Sequence, residues 1–320
     1  MKFKVGIDVG NYDTKTQHTR IPSGYAIYDV VPTLASEYLK YGNKYYAPTP
    51  TRFEYVKDKT ETDQALILTL FGIAKEIMYG IKQKIGEDAS DEAIQTAIRD
   101  VHEVAIGVGL PVGDITKYKD KTLNYYKEKL GKGPVKFNYC GFYFDFNLVT
   151  CSLFPQDLLP VMANPNCQIA KSYHKYLVIG IGGQTADLIP VNINGPDPSS
   201  CVSLRMGVRR MFSDIISKVE TNFGTSIGED TVEDVLAGEP TILPEEIEVA
   251  IRQAAKDHAN RIINSCVQRG YNFSEYPVVF FGGGGLLLRP YLENNSQLIK
   301  YEFLPDVYGN AKFYAAKIPS

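Results

Sequence analysis

What the sequence lacks narrows its function first. No run of apolar residues in the 320-residue chain reaches the roughly 18 consecutive positions a membrane span requires, so no membrane partner is expected. Cysteine is sparse: Cys140, Cys151, Cys167, Cys201 and Cys266 are odd in number, widely spread and without a C-x-x-C pair. That speaks against a zinc ribbon or a dithiol centre and for reduced, mostly buried thiols. The four histidines, His18, His102, His174 and His258, have neither metal-ligand spacing nor a neighbouring Ser or Cys nucleophile motif, which leaves them structural or surface roles. Positive charge is not in excess, the formal net charge being −3, so a broad basic face for nucleic acid is not expected. The N-terminus lacks the long apolar stretch and cleavage site of a leader, and a cytoplasmic location is the expectation. Low-complexity segments are absent too, and the turn-rich loop Asn194-Gly195-Pro196-Asp197-Pro198 is too short to act as a linker.

What remains is a composition of 44% hydrophobic and 22% charged residues, typical of a soluble globular protein, in a chain long enough to favour two domains. Lys2 to Asp8 alternates like a strand, turns at Gly10-Asn11 and continues through Asp13 to Arg20, which predicts an opening β-hairpin with Asp8 at its mouth. Strand character returns at Tyr25 to Val31 and in the pair Glu37 to Lys40 and Lys44 to Ala47 around Gly42-Asn43. The spacing of Leu66, Leu70, Ile73, Ile77 and Ile81 predicts a helix over Thr62 to Lys84, and Ser90 starts another. A buried strand follows at Val104 to Leu110, then a lysine- and tyrosine-rich helix over Asp114 to Leu130, strands at Phe142 to Leu148 and Cys151 to Phe154, and a helix over Gln156 to Ala163 despite Pro160. The second half repeats the theme: strands at Tyr176 to Ile181 and Thr185 to Asn192, helices at Val208 to Val219, Glu245 to Gln268 and after Gly285. Two α/β halves follow, each a mixed sheet flanked by helices.

Three glycine elements carry the chemistry. In Gly6-Ile7-Asp8-Val9-Gly10-Asn11-Tyr12-Asp13-Thr14-Lys15 a strand ends in a carboxylate, turns on a glycine and supplies a lysine. That suits phosphate held by backbone amides and an ammonium, with Asp8 anchoring Mg2+ through water. A carboxylate before a glycine turn is also what an ordinary hairpin contains. Gly180-Ile181-Gly182-Gly183-Gln184-Thr185-Ala186-Asp187 repeats the design. Val278 to Phe281 then runs into Gly282, Gly283, Gly284 and Gly285, bare backbone on which a flat base would lie.

The order of these elements resembles the superfamily of actin, sugar kinases and heat-shock chaperone ATPases, and most closely its ParM-type plasmid-segregating members. The resemblance spans essentially the whole chain. It implies two actin-like (ribonuclease H-like) domains, residues 1–163 with 303–320 and residues 164–302, and ATP or GTP with Mg2+ in the cleft between them. It implies that Gly10, Asn11, Tyr12 and Lys15, with Gly182, Gly183, Gln184 and Thr185, hold phosphates. It also implies that Gly207, before Arg209 and Arg210, lies near the nucleotide and that Gly282 to Gly285 bind adenosine. It places Gln156, in Phe154-Pro155-Gln156-Asp157, where relatives orient the attacking water, although a capping or surface amide is the plainer reading of that residue. Relatives begin the second hairpin with aspartate; here Gly180 stands in that place, which leaves Asp187 as the carboxylate that compensates, beside Asp8. The implied function is a filament that separates plasmid DNA, coupled by a small DNA-binding adaptor; the alternative is a small-molecule kinase on the same scaffold.

Overall fold

Residues 1–196 and 198–319 are described by a computed structural model; Asp197, in the expected turn-rich loop, lies outside them. Contacts divide the chain into two units, Met1–Leu159 joined by the segment from Tyr308 onward, and Pro160–Val307.

In the first unit the opening alternation becomes β1 (Lys2–Val9), in which Val5 and Ile7 are fully buried. The expected second strand is broken in two, β2 (Asp13–Lys15) and β3 (Arg20–Pro22). The break falls at Thr16 to Thr19, where the Thr16 and His18 side chains both turn to the buried Glu76. β4 (Tyr25–Tyr28), β5 (Leu39–Tyr41) and β6 (Lys44–Pro48) follow, then β7 (Glu103–Leu110), β8 (Val135–Tyr139) and β9 (Phe142–Pro155). The nine strands join in the order β3-β2-β1-β7-β9-β8-β5-β6-β4. β1, β7 and β9 are parallel and the remaining pairings antiparallel. β9 is one strand where the sequence pattern gave two: its first part pairs with β8 and its second with β7, and the second pairing contains a register shift at Val104/Ala105.

α1 (Gln64–Ile85) lies on this sheet with most of its residues buried. It is long and apolar enough to cross a membrane by length and hydropathy, but 72% of its apolar window is buried, which makes it a core helix. α2 (Asp91–Arg99) starts at Ser90, whose hydroxyl accepts from the Ala93 N–H at 3.3 Å. In α3 (Ile115–Leu130) Tyr125 and Tyr126 pack inward, and the lysines stay on the outer face.

The second unit starts within α4 (Leu158–Met162), shorter than expected because Asp157 takes a left-handed φ of 63° just before it. After α5 (Gln168–Ser172) come β10 (Tyr176–Ile181), β11 (Ala186–Asn192), β12 (Gly195–Pro196) and β13 (Val202–Leu204). The helices α6 (Val208–Phe223), α7 (Glu229–Ala237) and α8 (Glu245–Gln268) lead to β14 (Val278–Phe281), α9 (Gly283–Leu287), α10 (Arg289–Leu292) and β15 (Tyr301–Phe303). The sheet order is β12-β11-β10-β14-β15, with β13 also paired to β11, and β10, β14 and β15 parallel. Each unit thus sets an antiparallel hairpin beside two parallel strands, with the hairpin's first strand next to them.

The chain returns to the first unit as α11 (Gly309–Lys317). It lies directly on β1 and β7, because glycines leave its backbone room. A β-carbon at Gly6 would stand 1.8 Å from the Ala311 carbonyl oxygen, and one at Gly107 would stand 2.9 Å from Tyr314 Cβ. Gly6→Ala is therefore expected to push the helix off the sheet and to lower stability by about 1–3 kcal/mol. Denaturant unfolding checks it; a variant as stable as the wild type would mean that this helix does not need the close approach.

Candidate functional site

The geometry of each hairpin follows from where its carbonyls go. In the first, the Val9 carbonyl accepts from Lys59 Nζ, and the Gly10 carbonyl accepts from Ser23 Oγ at 2.7 Å. The Tyr12 carbonyl accepts from the Ser23 N–H at 2.9 Å and from Arg52 Nε at 3.3 Å. A trans peptide points its N–H opposite to its C=O, so tying down the Gly10 carbonyl turns the Asn11 amide to the other side. Gly10 is required at the turn, since a β-carbon there would stand 2.5 Å from the Asp13 carbonyl oxygen. The Arg52 guanidinium lies 4.0 Å from the centre of the Tyr12 ring, so that ring is engaged by protein.

The second hairpin is held in the same way by the start of α6. The N–H groups of Gly207, Val208 and Arg209 donate to the carbonyls of Gln184, Gly182 and Gly183 at 3.1, 3.0 and 2.8 Å. The amides of Gly183, Gln184 and Thr185 consequently point away from α6, three successive donors of the kind that cradle an anion. Gly207 has a packing reason to be glycine: a β-carbon would stand 2.4 Å from the Gln184 backbone. The glycine run closes on the same corner. Gly282 has a φ of +89°, and β-carbons at Gly282 and Gly284 would press on Ile181 at 2.7 and 2.6 Å. Gly182, Gly183, Gln184, Thr185, Gly207 and Gly282 to Gly285 are therefore brought together at the end of β10. Arg209 and Arg210 pair with Glu229 and Asp214 at 3.6 and 3.2 Å.

Register places the charged groups. Asp8 is opposite Lys15 across the first hairpin, and Gly180 is opposite Asp187 across the second. Directly opposed residues share a face, so Lys15 lies beside Asp8, and the missing side chain at Gly180 leaves space beside Asp187. Thr185 Oγ1 donates to Asp187 Oδ2 at 3.3 Å.

Gln156 reaches the same point as Asp8 from β9. It follows the strand and precedes the helix, at the bend made by Asp157, rather than sitting inside a helix. Its Nε2 donates to Asp8 Oδ1 at 2.8 Å, and Asn310 Nδ2 donates to Asp8 Oδ2 at 3.1 Å. The capping or surface role does not apply, because the amide is committed to Asp8. Among the described residues no three His, Cys, Asp or Glu side chains converge on a metal position. With both Asp8 oxygens already accepting from amides, the donor set suits a cation held by phosphate oxygens and water, with Asp8 touching it through water.

Three neighbours of Asp8 escaped the sequence reading. Asn310 and Tyr314 come from α11, and nothing in that helix resembles a site motif. Tyr314 is fully buried and its hydroxyl has no partner among the described residues. Burial, with Asp8 and Asp157 nearby, pushes its pKa well above the usual phenol value, so it stays a donor. The third is Lys59, whose ammonium is enclosed while part of its stem remains exposed. It lines two adjoining hollows with Val9, one reaching Asn11, Ser23 and Phe53, the other Gly109, Thr122 and Tyr126.

Residues 178–294 match a family described as archaeal actin homologue MreB-like, C-terminal. Curated protein sequences give no match. An archaeal actin homologue, Ta0583, solved with ADP, is 20% identical with a TM-score of 0.70 over 98% of each chain. The chain has the actin-like fold. AlfA from a Bacillus subtilis plasmid, solved as a filament, is 13% identical with a TM-score of 0.60 over 99% of each chain. ParM from Bacillus thuringiensis, solved with ATP, is 12% identical with a TM-score of 0.61 over 98% of this chain and 96% of its own.

The enclosed ammonium of Lys59 makes stability depend on pH. Burial lowers its pKa from 10.5 to about 8, with Asp8 opposing the shift. Below about 8 both folded and unfolded states are protonated and the cost of burying the charge is constant. Between that point and 10.5 the unfolded chain holds the extra proton, so stability rises with pH. Relative to Lys59→Met, which keeps the stem without the charge, the wild type is expected to gain on the order of 2–3 kcal/mol across this window. Denaturant unfolding of both proteins across that range reads the difference directly; parallel curves would mean that the ammonium is solvated.

Proposed function

We propose that this chain is a nucleotide-dependent, filament-forming ATPase. The observation that carries the reading is the pairing of Gln156 with Asp8 beside the Gly10 turn. Gln156 ties its NH2 group to Asp8, so its carbonyl oxygen is the group left to align a water for attack on a γ-phosphate. Such a reaction needs placement and charge stabilisation more than a strong base. In the first unit the outward amides of the hairpin supply donors for phosphate oxygens and Lys15 adds a cation; in the second unit the outward amides of its hairpin are donors of the same kind, and Gly282 to Gly285 offer bare backbone to a base. Mg2+, held by phosphate oxygens and water near Asp8, would supply neutralisation of the charge that develops on the phosphates. Asp187, with room beside it at Gly180, is the second acidic group.

ATP is the proposed nucleotide, and direct competition with GTP tests the choice. Assembly is proposed to be head-to-tail, because a heterologous contact that does not close into a ring generates an open helix. The cellular task proposed for the filament is segregation of plasmid DNA through a small DNA-binding adaptor, with no direct grip of this chain on DNA. Structures of relatives solved as filaments and with nucleotide support the assembly and the cofactor. Their low identity leaves the cargo to experiment.

Light scattering and negative-stain microscopy with ATP, GTP and non-hydrolysable analogues test the reading. Polymer is expected with ATP and to disassemble as ATP is consumed. Gln156→Ala is expected to bind ATP, to polymerise and to hydrolyse about 100-fold more slowly, giving filaments that persist. No polymer under any nucleotide would defeat the filament reading, and full Mg2+-dependent turnover in Asp8→Ala would defeat the site.

A further inference from the structure

The residues around Asp8 form a closed ring. Asn310 Oδ1 accepts from the Asp157 N–H at 2.9 Å, while its Nδ2 donates to Asp157 Oδ1 at 2.9 Å and to Asp8 Oδ2 at 3.1 Å. Gln156 completes the circuit through its bond to Asp8. Asn310 is buried, and it is the member that touches both carboxylates and the backbone between β9 and α4. The backbone it holds is strained: Asp157 is one of two non-glycine residues with positive φ among those described. A left-handed L-residue costs about 1–2 kcal/mol and persists only where its surroundings hold it.

Tyr314 lies one helical turn beyond Asn310, and residues four apart share a helix face. A β-carbon at Gly109 would stand 2.1 Å from its hydroxyl and 2.8 Å from Gln156 Cγ. The Tyr314 hydroxyl therefore sits in the corner formed by Gly109 and Gln156.

We propose that Asn310 is the positioning residue for hydrolysis, an inference that rests on the role given above to Gln156. It fixes one rotamer of Asp8 and holds the Asp157 bend. With both fixed, the Gln156 carboxamide has one orientation, its NH2 group on Asp8 and its carbonyl oxygen toward the attacking water. α11 is thereby part of the site, although it carries no phosphate-binding motif. A carboxylate in place of the Asn310 amide puts three acids in one ring, and like charges at such distances retain a proton. Once protonated, the substituted carboxyl still donates one hydrogen bond, so the lost alignment returns in part as pH falls.

The test uses Asn310→Ala and the near-isosteric Asn310→Asp, with nucleotide affinity, kcat and unfolding measured for each. Asn310→Ala is expected to lower kcat about 10–100-fold while nucleotide affinity changes less than about threefold. Asn310→Asp is expected to show low kcat at about pH 8, recovering toward the wild-type value near about pH 6 after correction for the folded fraction measured at each pH, since the same like-charge repulsion also makes this variant less stable at the higher pH. Wild-type kcat in both variants, or a loss wholly accounted for by the unfolded fraction with an unaltered pH profile, overturns the proposal. Crystal structures keep it separate from the hydrolytic reading. In Asn310→Ala, Asp157 is expected to leave the left-handed region and Gln156 to leave Asp8. An unchanged bend and an unchanged Gln156–Asp8 bond refute the positioning role whether or not the wild type hydrolyses ATP.

Discussion

Both glycine hairpins depend on one constraint: their carbonyls are satisfied from behind. Lys59 and Ser23 do this for Val9 and Gly10, and the first residues of α6 do it for Gly182, Gly183 and Gln184. An unpaired buried carbonyl is costly, so these bonds fix the plane of each peptide, and the planes then dictate where the amides point. Gly207 and Gly284 follow from the same requirement, since α6 must come close enough to donate. The turns are therefore shaped by their supports, and sequence change in the supports alters the amides without touching them.

The first unit adds charge to this frame. The Asp8 carboxylate is solvated by two uncharged amide donors, and the enclosed ammonium of Lys59 donates to a carbonyl of the hairpin. Lys15, across the ladder, is the cation whose side chain shares the face of Asp8. In the second unit the corresponding pair is Gly180 and Asp187, so the carboxylate stands on the other strand of the hairpin. The two hairpins have equal spans between these partners and opposite arrangements of charge.

Much of the fold was legible in the sequence because it rests on local periodicity. Alternation located β1, continuous apolar runs located β10 and β14, and 3.6-residue spacing located α1, α6 and α8, the last to its ends at Glu245–Gln268. The continuity of β9 was not legible, because the strand changes partners part-way and its inward face changes with them. The helix expected from Gln156 is shortened by the bend at Asp157, a conformation that L-residues rarely take and that a single sequence does not announce. In the site, glycine turns advertise themselves by composition. Asn310, Tyr314 and Lys59 do not: an amide, a phenol and a lysine are common residues, and their significance lies in contacts 302, 205 and 50 positions away along the chain, from Asp8, Gly109 and Val9 respectively.

The ring at Asp8 joins residues separated by 148 and 302 positions. Contacts this distant in sequence close late, because the entropy of the intervening loop must be overcome before they add stability. During synthesis, β1 and its glycine turn emerge long before α11 does. Until that helix is released and laid into its glycine seat, Asp8 lacks an amide donor and the Asp157 bend lacks its clamp. The nascent first unit thus holds the glycine turn without the closed ring around Asp8, which waits for a helix that the ribosome makes only after the whole second unit.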